Sequence, residues 1–228
     1  MFGRIAHRYD LANRVLSGGI DRYWRLKLVR AVRYKGPRDV LDLATGSGDV
    51  AFAMARGLPG NTRILGMDFC APMLVEAEAK RARLPQVLDH VQFQQGDALN
   101  LPAAEASYDA VTIAFGLRNM ADRPRCLSEI RRVLRPAGHL FVLEFSRPWA
   151  LVRPMYDLHV RLIAPAVAGL LTGDRAAYEY LGSSIAAFPG REALSGEIRA
   201  AGFADVAASS MTMGVVALHV ARRGASVS

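Results

Sequence analysis

The 228-residue chain has few cysteines and no long hydrophobic run. Its two cysteines, Cys70 and Cys126, lie far apart and form no C-x-x-C pair, which indicates reduced thiols rather than a disulfide framework. The longest uncharged apolar stretch, residues 162–171, has ten residues and contains a proline, so we expect no membrane-spanning helix. The N-terminus has arginines but no hydrophobic core of a signal peptide. These absences predict a cytoplasmic protein.

The positive charge of the chain is concentrated at one end. The formal net charge is +8, and residues 1–38 hold ten Lys or Arg against two acids, so the remaining chain is balanced. A basic, aromatic-bearing arm suits anionic lipid headgroups or nucleic acid. It is equally typical of a solvated helix face. The charge run alone leaves these three interpretations open.

Short apolar strands alternate with helical patterns along the chain. The predicted strands are 39–45, 63–69, 91–98, 108–115 and 139–146, followed by a closing pair within 205–223. The predicted helices are 48–58, 71–83, 123–134 and 191–203. This alternation predicts an α/β fold with a mostly parallel sheet of seven strands and helices on both faces. Four prolines interrupt residues 147–189, and we expect a helical insertion at 147–188 that covers the substrate end of the sheet, within one domain spanning 1–228.

The stretch "LDLATGSGDVAFA", residues 41–53, contains a G-x-G-x-x-A pattern formed by Gly46, Gly48 and Ala51. Glycines at the end of a first strand let the backbone approach a ligand, although the pattern alone is also typical of a tight turn without one. Asp68 follows about 20 residues later, at the end of the second strand, where a carboxylate can accept both ribose hydroxyls of an adenosine. Its alternative role is the N-cap of the next helix.

Acidic residues around this loop argue against NAD. Asp42 precedes the glycines, which suits a ligand with a cationic amino-acid end, and Asp49 follows them, where it would repel a pyrophosphate. Asp97, in "QGDALNLP", is placed at the end of the third strand, where it can bond an adenine amino group. We therefore expect an adenosine ligand that carries positive charge.

Longer blocks are more specific than the glycine loop. "MFGRIAHRYDLANRVLSGGIDRYWR", "VLDLATGSGD", "GMDF", "GDALNLP", "FGLRN", "LEFSRP" and "YEYLGSSIAAFPGREAL" occur in this order. Together they make the chain resemble the class I S-adenosylmethionine methyltransferases, and more narrowly the UbiE/MenG type. The resemblance covers nearly the whole chain. It implies a Rossmann-like fold and C-methylation of a prenylated quinol, with S-adenosylmethionine as methyl donor, S-adenosylhomocysteine as product and no metal.

The resemblance also assigns residues. It implies that Ser47, Asp68, Asp97 and Ala98 contact the cofactor and that Ala114 lines its site, beside Asp42, Gly46 and Gly48. It places Arg118 and Tyr9 at the substrate, where a base or a cation assists a hydroquinone carbon, with Asn119 as a further candidate. The alternatives are a loop-fixing ion pair for Arg118 and a packed lid residue for Tyr9.

The substrate and the assembly are less narrowly defined. "FP" at 188–189 favours demethylmenaquinol as substrate, while the ubiquinone precursor or another aromatic small molecule stays open. A prenyl tail requires peripheral contact with the inner face of the plasma membrane, for which residues 1–38 and 162–171 are the candidates. The family also makes a homodimer plausible.

Two other classes of function fit single features of the sequence. A nucleic-acid-binding protein is suggested by the pI near 10, but the basic excess is confined to one arm and no base-stacking pattern accompanies it, so we expect no nucleic-acid partner. An NAD-dependent oxidoreductase is the other. Two departures from the family are Ser47 in place of threonine and Ala137 in place of a glycine in "RPAGH".

Overall fold

Seven strands form a single sheet in the computed structural model, which describes residues 19–84, 90–158 and 182–224. The strands are β1 (Asp39–Leu43), β2 (Arg63–Asp68), β3 (Val91–Gln95), β4 (Tyr108–Ala114), β5 (Leu134–Phe145), β6 (Phe203–Met211) and β7 (Val216–Arg223). Their order is β3-β2-β1-β4-β5-β7-β6, and β7 alone runs antiparallel to its neighbours. The mostly parallel seven-stranded sheet is confirmed.

Helices connect the strands. They are α1 (Asp21–Lys35), α2 (Asp49–Gly57), α3 (Ala71–Ala82), α4 (Arg123–Val133), α5 (Arg153–Leu158) and α6 (Arg191–Ala200), and residues 182–187 are also helical. Single 3₁₀ turns lie at Leu117–Asn119 and Thr212–Gly214. Helix α4 begins where Asp122 accepts a hydrogen bond from the Arg125 N–H at 2.9 Å, which satisfies one of the free donors of its first turn.

The helices cover both faces of the sheet, as the alternation predicts. One buried cluster joins α4 and α6 to strand residues such as Leu140 and Val142. The other joins α1 and α2 to the intervening residues Phe141 and Leu143. Because successive side chains of a strand point to opposite faces, each face of β5 contributes to a separate half of the core.

Strand β5 begins earlier than its apolar pattern predicts. Tyr108 of β4 pairs with Leu134, and Ala110 pairs with His139, so residues 135–138 form an irregular excursion opposite a single residue of β4. Ala137 lies in this excursion with a φ of 63°, in the left-handed region. This is the position at which the family resemblance leads one to expect a glycine.

Several predicted features lie outside the described residues. They include Tyr9 with residues 1–18 of the basic arm, the apolar stretch 162–171 and the middle of the insertion 147–188. The flanks of the insertion, residues 153–158 and 182–187, are helical. Its role as a substrate cover and the single domain over 1–228 stay predictions. Within 19–84, 90–158 and 182–224, no helix has the length and hydropathy needed to cross a bilayer.

Candidate active site

The order in which the chain adds strands reverses at β1, because β2 lies on one side of it and β4 on the other. All three strands run parallel. In parallel α/β sheets, ligands bind beyond the carboxyl ends of the strands at this point. The loop of residues 44–48 follows β1 here, and the 3₁₀ turn Leu117–Asn119 follows β4. The loop and the turn approach closely, since a Cβ on Gly116 would lie 2.5 Å from the Ala44 Cβ.

The glycine loop is shaped from inside the protein. Gly46 and Gly48 have φ angles of 57° and 83°, a region that glycine enters at least cost. A Cβ on Gly48 would lie 2.7 Å from the Phe93 ring and 2.8 Å from the Phe52 ring. Close approach of a ligand is therefore not needed to explain Gly48, because its backbone conformation and its aromatic neighbours already demand glycine.

Asp68, at the end of β2, is bonded to the loop. Its Oδ2 accepts from the Gly46 N–H at 2.8 Å, and its Oδ1 accepts from the Cys70 N–H at 2.8 Å. A carboxylate has about four acceptor positions, so these two bonds leave capacity for further donors such as ribose hydroxyls. The N-cap of α3 is Cys70, and within the described range 19–84 Asp68 accepts no N–H of the first helical turn, so the N-cap interpretation of Asp68 is wrong. The ribose interpretation stays a prediction.

Asp42 lies beneath the loop and is almost fully buried, at 1% exposure. Its two oxygens accept from the hydroxyls of Thr45 at 2.7 Å and Thr112 at 2.6 Å. Burial raises the pKa of this carboxyl to about 6, against the lowering effect of these hydrogen bonds. Asp42 thus supports the loop from below, and a direct contact with the cofactor stays a prediction.

Asp49 does not present the free negative charge assumed in the argument against a pyrophosphate. Lys80 of α3 donates to its Oδ1 at 2.9 Å, and Arg25 of α1 forms a second ion pair with it. These cations hold its pKa below the usual value despite burial. The same Lys80 donates to the Ser47 hydroxyl at 2.9 Å, so Ser47 is tied to α3. The prediction that Asp49 would repel a pyrophosphate is therefore wrong, while the expectations for Asp42 and Asp97 stay predictions.

Asp97 follows β3 and is exposed. Its Oδ1 accepts from the Leu99 N–H at 2.8 Å, which orders the turn after the strand, and Ala98 beside it is buried. The exposed carboxylate lies at the same end of the sheet as Asp68, because β2 and β3 are parallel neighbours. It is placed to meet a ligand that extends from the glycine loop.

Arg118 is buried in an ion pair. Its side chain is 2% exposed, and its Nη1 lies 2.8 Å from Oε1 of Glu144, which is 1% exposed. The Phe145 N–H donates to the same carboxylate oxygen at 2.9 Å. The ion pair posed as the alternative for Arg118 therefore exists, and its partner Glu144, in the "LEFSRP" block, was missed as a functional candidate. Ala114 is half-buried at the end of β4, and Asn119 is exposed.

An aromatic cluster lies next to this ion pair. The rings of Phe115 and Phe145 are 5.0 Å apart, and Trp24 of α1 lies 5.8 Å and 6.3 Å from them. The Arg118 guanidinium lies 5.3 Å from the centre of the Phe145 ring. The cluster joins residues that are distant in sequence, so no local pattern identifies it.

Among the described ranges 19–84, 90–158 and 182–224, no three His, Cys, Asp or Glu residues come together in a way that could hold a metal ion. The structure does bring together the glycine loop, Asp68, Asp97, Ala114 and the Arg118–Glu144 pair at one edge of the sheet. The predicted absence of a metal from the reaction stays a prediction.

Comparison with known proteins shows the family to which the chain is similar. A model of the ubiE/COQ5 methyltransferase family matches residues 1–223. The demethylmenaquinone methyltransferase of Thermus thermophilus is 45% identical over 227 residues, covering 98% of this chain and all of the relative. The ubiquinone/menaquinone biosynthesis C-methyltransferase UbiE of Paracoccus denitrificans is 40% identical, covering 96% of this chain and 87% of the relative.

Solved structures agree on the fold. A Thermotoga maritima S-adenosylmethionine-dependent methyltransferase aligns with a TM-score of 0.67 at 18% identity, covering 98% of this chain and 100% of the other. The putative methyltransferase in complex with the Haloferax volcanii Trm112 activator aligns with a TM-score of 0.66 at 21% identity, covering 98% of both chains. With the sheet order and the match along nearly its full length, the chain belongs to the ubiE/COQ5 family of methyltransferases.

Proposed function

We propose that the protein transfers a methyl group from S-adenosylmethionine to a ring carbon of demethylmenaquinol. The observation that carries the proposal is the full-length similarity, at 45% identity, to an enzyme named demethylmenaquinone methyltransferase. The described residues at the carboxyl edge of the sheet suit the donor, because they offer carboxylates and a backbone loop rather than a cationic phosphate site.

The cofactor is held by the loop and the two strands beside it. Asp68 accepts the ribose hydroxyls with its remaining acceptor positions, and Asp97 accepts from the adenine amino group. Gly46, Ser47 and Gly48 border the cofactor, with Asp42 beneath them, and Ala98 and Ala114 line its walls. Buried Asp42 supports the loop whose position decides where the amino-acid end lies.

When bound, S-adenosylmethionine supplies an already electrophilic methyl group. The chain must then align the ring carbon with it, which is chiefly a positioning task. The Arg118 guanidinium stabilises negative charge on the ring oxygen, and Glu144 fixes that guanidinium in place. The family resemblance assigns Asn119 and Tyr9 to the substrate as well.

A second substrate deserves the same test. Relatives such as the Paracoccus denitrificans UbiE are named for both ubiquinone and menaquinone biosynthesis and cover almost the whole chain. The alternative is therefore methylation of the ubiquinone precursor, alone or in addition.

The protein reaches its prenylated substrate at an anionic membrane surface. The exposed side chains of α1 are all basic or hydrophobic. They are Arg22, Lys27, Arg30, Arg33 and Lys35, with Tyr23, Leu26 and Tyr34. After β5, the apolar rim exposes large side chains, namely Trp149, Leu151, Met155 and Leu158 at 61%, 92%, 69% and 52%. This pairing of basic and apolar surface supports peripheral binding, which we propose takes place at the inner face of the plasma membrane. A homodimer is part of the same proposal.

The decisive assay uses labelled S-adenosylmethionine with demethylmenaquinol and, in parallel, with the ubiquinone precursor. We expect label in the menaquinol fraction. Label in neither quinone fraction overturns the proposal, and label in the second fraction alone establishes the alternative. Calorimetric titration with S-adenosylhomocysteine, NADH and duplex DNA is the companion measurement, and we expect binding of S-adenosylhomocysteine only.

A further inference from the structure

We propose that the Tyr156 hydroxyl and the Arg118 Nε–H together bind one oxygen of the substrate ring. The inference rests on the proposed function and adds Tyr156, from the segment after β5, to the substrate site. Both groups are hydrogen-bond donors that the protein has buried without giving them an acceptor in the part of the chain that the structure describes.

Among the described residues, the Arg118 Nε–H has no acceptor, whereas its Nη1 and its backbone N–H are hydrogen-bonded. Its Nη1 donates to Glu144 Oε1 and to the Phe115 carbonyl, and its backbone N–H donates to Glu144 Oε2 at 3.3 Å. These bonds fix the guanidinium, whose plane cannot turn without breaking them. The Nε atom is buried and has no acceptor among the described residues. A fixed donor of this kind has a defined direction.

Tyr156 lies in α5, in the segment that follows β5. Its hydroxyl oxygen is buried and also finds no partner among residues 19–84, 90–158 and 182–224. The charges of Arg118 and Glu144 both act on its phenol, which places the hydroxyl in the neighbourhood of the ion pair. Burial raises the pKa of Tyr156 to about 12, so the group is a neutral donor at physiological pH.

An unsatisfied buried donor costs about 1–3 kcal/mol of folding free energy, so proteins rarely retain one without a use. Two of them occur in the segments that follow β4 and β5 at the same edge of the sheet, because these strands are parallel neighbours, and an aromatic cluster suited to a flat ring lies beside Arg118. An oxygen of a hydroquinone accepts two hydrogen bonds and gains more from them as it acquires negative charge. The site thus recognises an aromatic ring oxygen rather than a phosphate or a carboxylate chain.

The test is Tyr156→Phe, which removes only the hydroxyl. Binding of a ring oxygen predicts a loss of about 10- to 100-fold in kcat/KM for demethylmenaquinol, the range of a hydrogen bond to a charged group. The affinity for S-adenosylhomocysteine should stay unchanged. The free energy of unfolding without substrate should stay unchanged or rise, because an unsatisfied group has been deleted.

Tyr108→Phe is the matched control, since Tyr108 is a half-buried tyrosine at the opposite end of β4, and its activity should equal that of the wild type. Wild-type kcat/KM in Tyr156→Phe overturns the inference while leaving the proposed function standing. A less stable Tyr156→Phe also overturns it, because the hydroxyl is then bonded within the protein. A wild-type enzyme that does not methylate the quinol overturns both.

Discussion

Asp68 Oδ2 lies 2.8 Å from the backbone nitrogen of Gly46, so the carboxylate that ends β2 holds the loop that ends β1. One side chain therefore sets the spacing between the two parts of the cofactor site. A ligand that bonds to Asp68 also stabilises the loop, because it orients the acceptor that Gly46 uses.

Asp68→Ala tests this double role. We expect the affinity for S-adenosylhomocysteine to fall by about 100-fold or more, since two hydrogen bonds to a charged group are lost. Isothermal titration measures it. Asp122→Ala is the control, because it removes a carboxylate that caps α4 and costs about 1 kcal/mol of stability without touching the site. Equal affinities in both variants would contradict the assignment.

The burial of Asp42 predicts an unusual pH dependence. Its pKa is about 6 in the folded protein against 3.8 as the ordinary value, so the folded state binds the proton more tightly. Its stabilising contribution is present below pH 3.8 and is lost as pH rises through 6, on the order of 3 kcal/mol. In Asp42→Asn, urea unfolding between pH 4 and 7 should lack this loss. Parallel profiles for the two proteins would rule out a raised pKa.

The Arg118–Glu144 pair is buried, and breaking it should be costly. Glu144→Gln leaves an uncompensated guanidinium and should lower the free energy of unfolding by about 3–5 kcal/mol. The double variant Arg118→Met/Glu144→Met should recover part of that loss. Glu197→Gln is the matched control, because the Arg123–Glu197 pair is about 30% exposed on both sides and is worth about 1 kcal/mol or less. Equal losses in the two single variants would refute a buried charge pair.

Ala137 occupies a backbone conformation that disfavours it. Left-handed φ angles cost an L-residue about 1–2 kcal/mol, and the extra flexibility of glycine in the unfolded chain offsets part of the gain. Ala137→Gly should therefore stabilise the protein by about 0.5–1 kcal/mol in thermal unfolding. Ala137→Val, with a branched side chain at the same φ of 63°, should destabilise it. A stabilising valine would show that the excursion is not strained.

The apolar rim should govern membrane binding. Leu151→Ser with Met155→Ser removes two exposed side chains, and we expect sedimentation with phosphatidylglycerol vesicles to weaken by about 10-fold or more. Val75→Ser is the control, since Val75 is 68% exposed but lies on α3. Binding that depends on salt alone, with no effect of the double variant, would assign the contact to the basic face of α1.

The parts of the fold that depend on local patterns were predictable from the sequence. Strands β1 to β4 fall within one to three residues of their predicted ends, because their buried residues form short runs between turn residues. The early start of β5 was not predictable, since Leu134 enters the sheet only through its pairing with Tyr108.

Site residues divide in the same way. Asp68 and Asp97 could be placed at the ends of β2 and β3 because strand ends and spacing are local signals, and their contacts with a cofactor stay predictions. Glu144 was missed, because its ion pair depends on Arg118, which lies 26 residues before it, and the role proposed for Tyr156 depends on the same arginine. Asp49 was misjudged for the same reason, since its counter-charge Lys80 is 31 residues away. Which charges lie beside an acidic residue depends on the tertiary structure. The sequence around that residue therefore does not predict the local net charge.

The Phe93 ring also has a consequence for how the chain can change. Gly66 pairs with Phe93 across β2 and β3, and a Cβ on Gly66 would lie 2.6 Å from that ring, as one on Gly48 would lie 2.7 Å from it. A larger residue at position 66 therefore requires a smaller one at 93 and also a shift of Thr45, whose hydroxyl would lie 2.9 Å from that Cβ. Even that exchange would leave position 48 restricted to glycine by its φ of 83°. Positions 45, 66 and 93 can thus change over evolutionary time only together, whereas position 48 stays glycine.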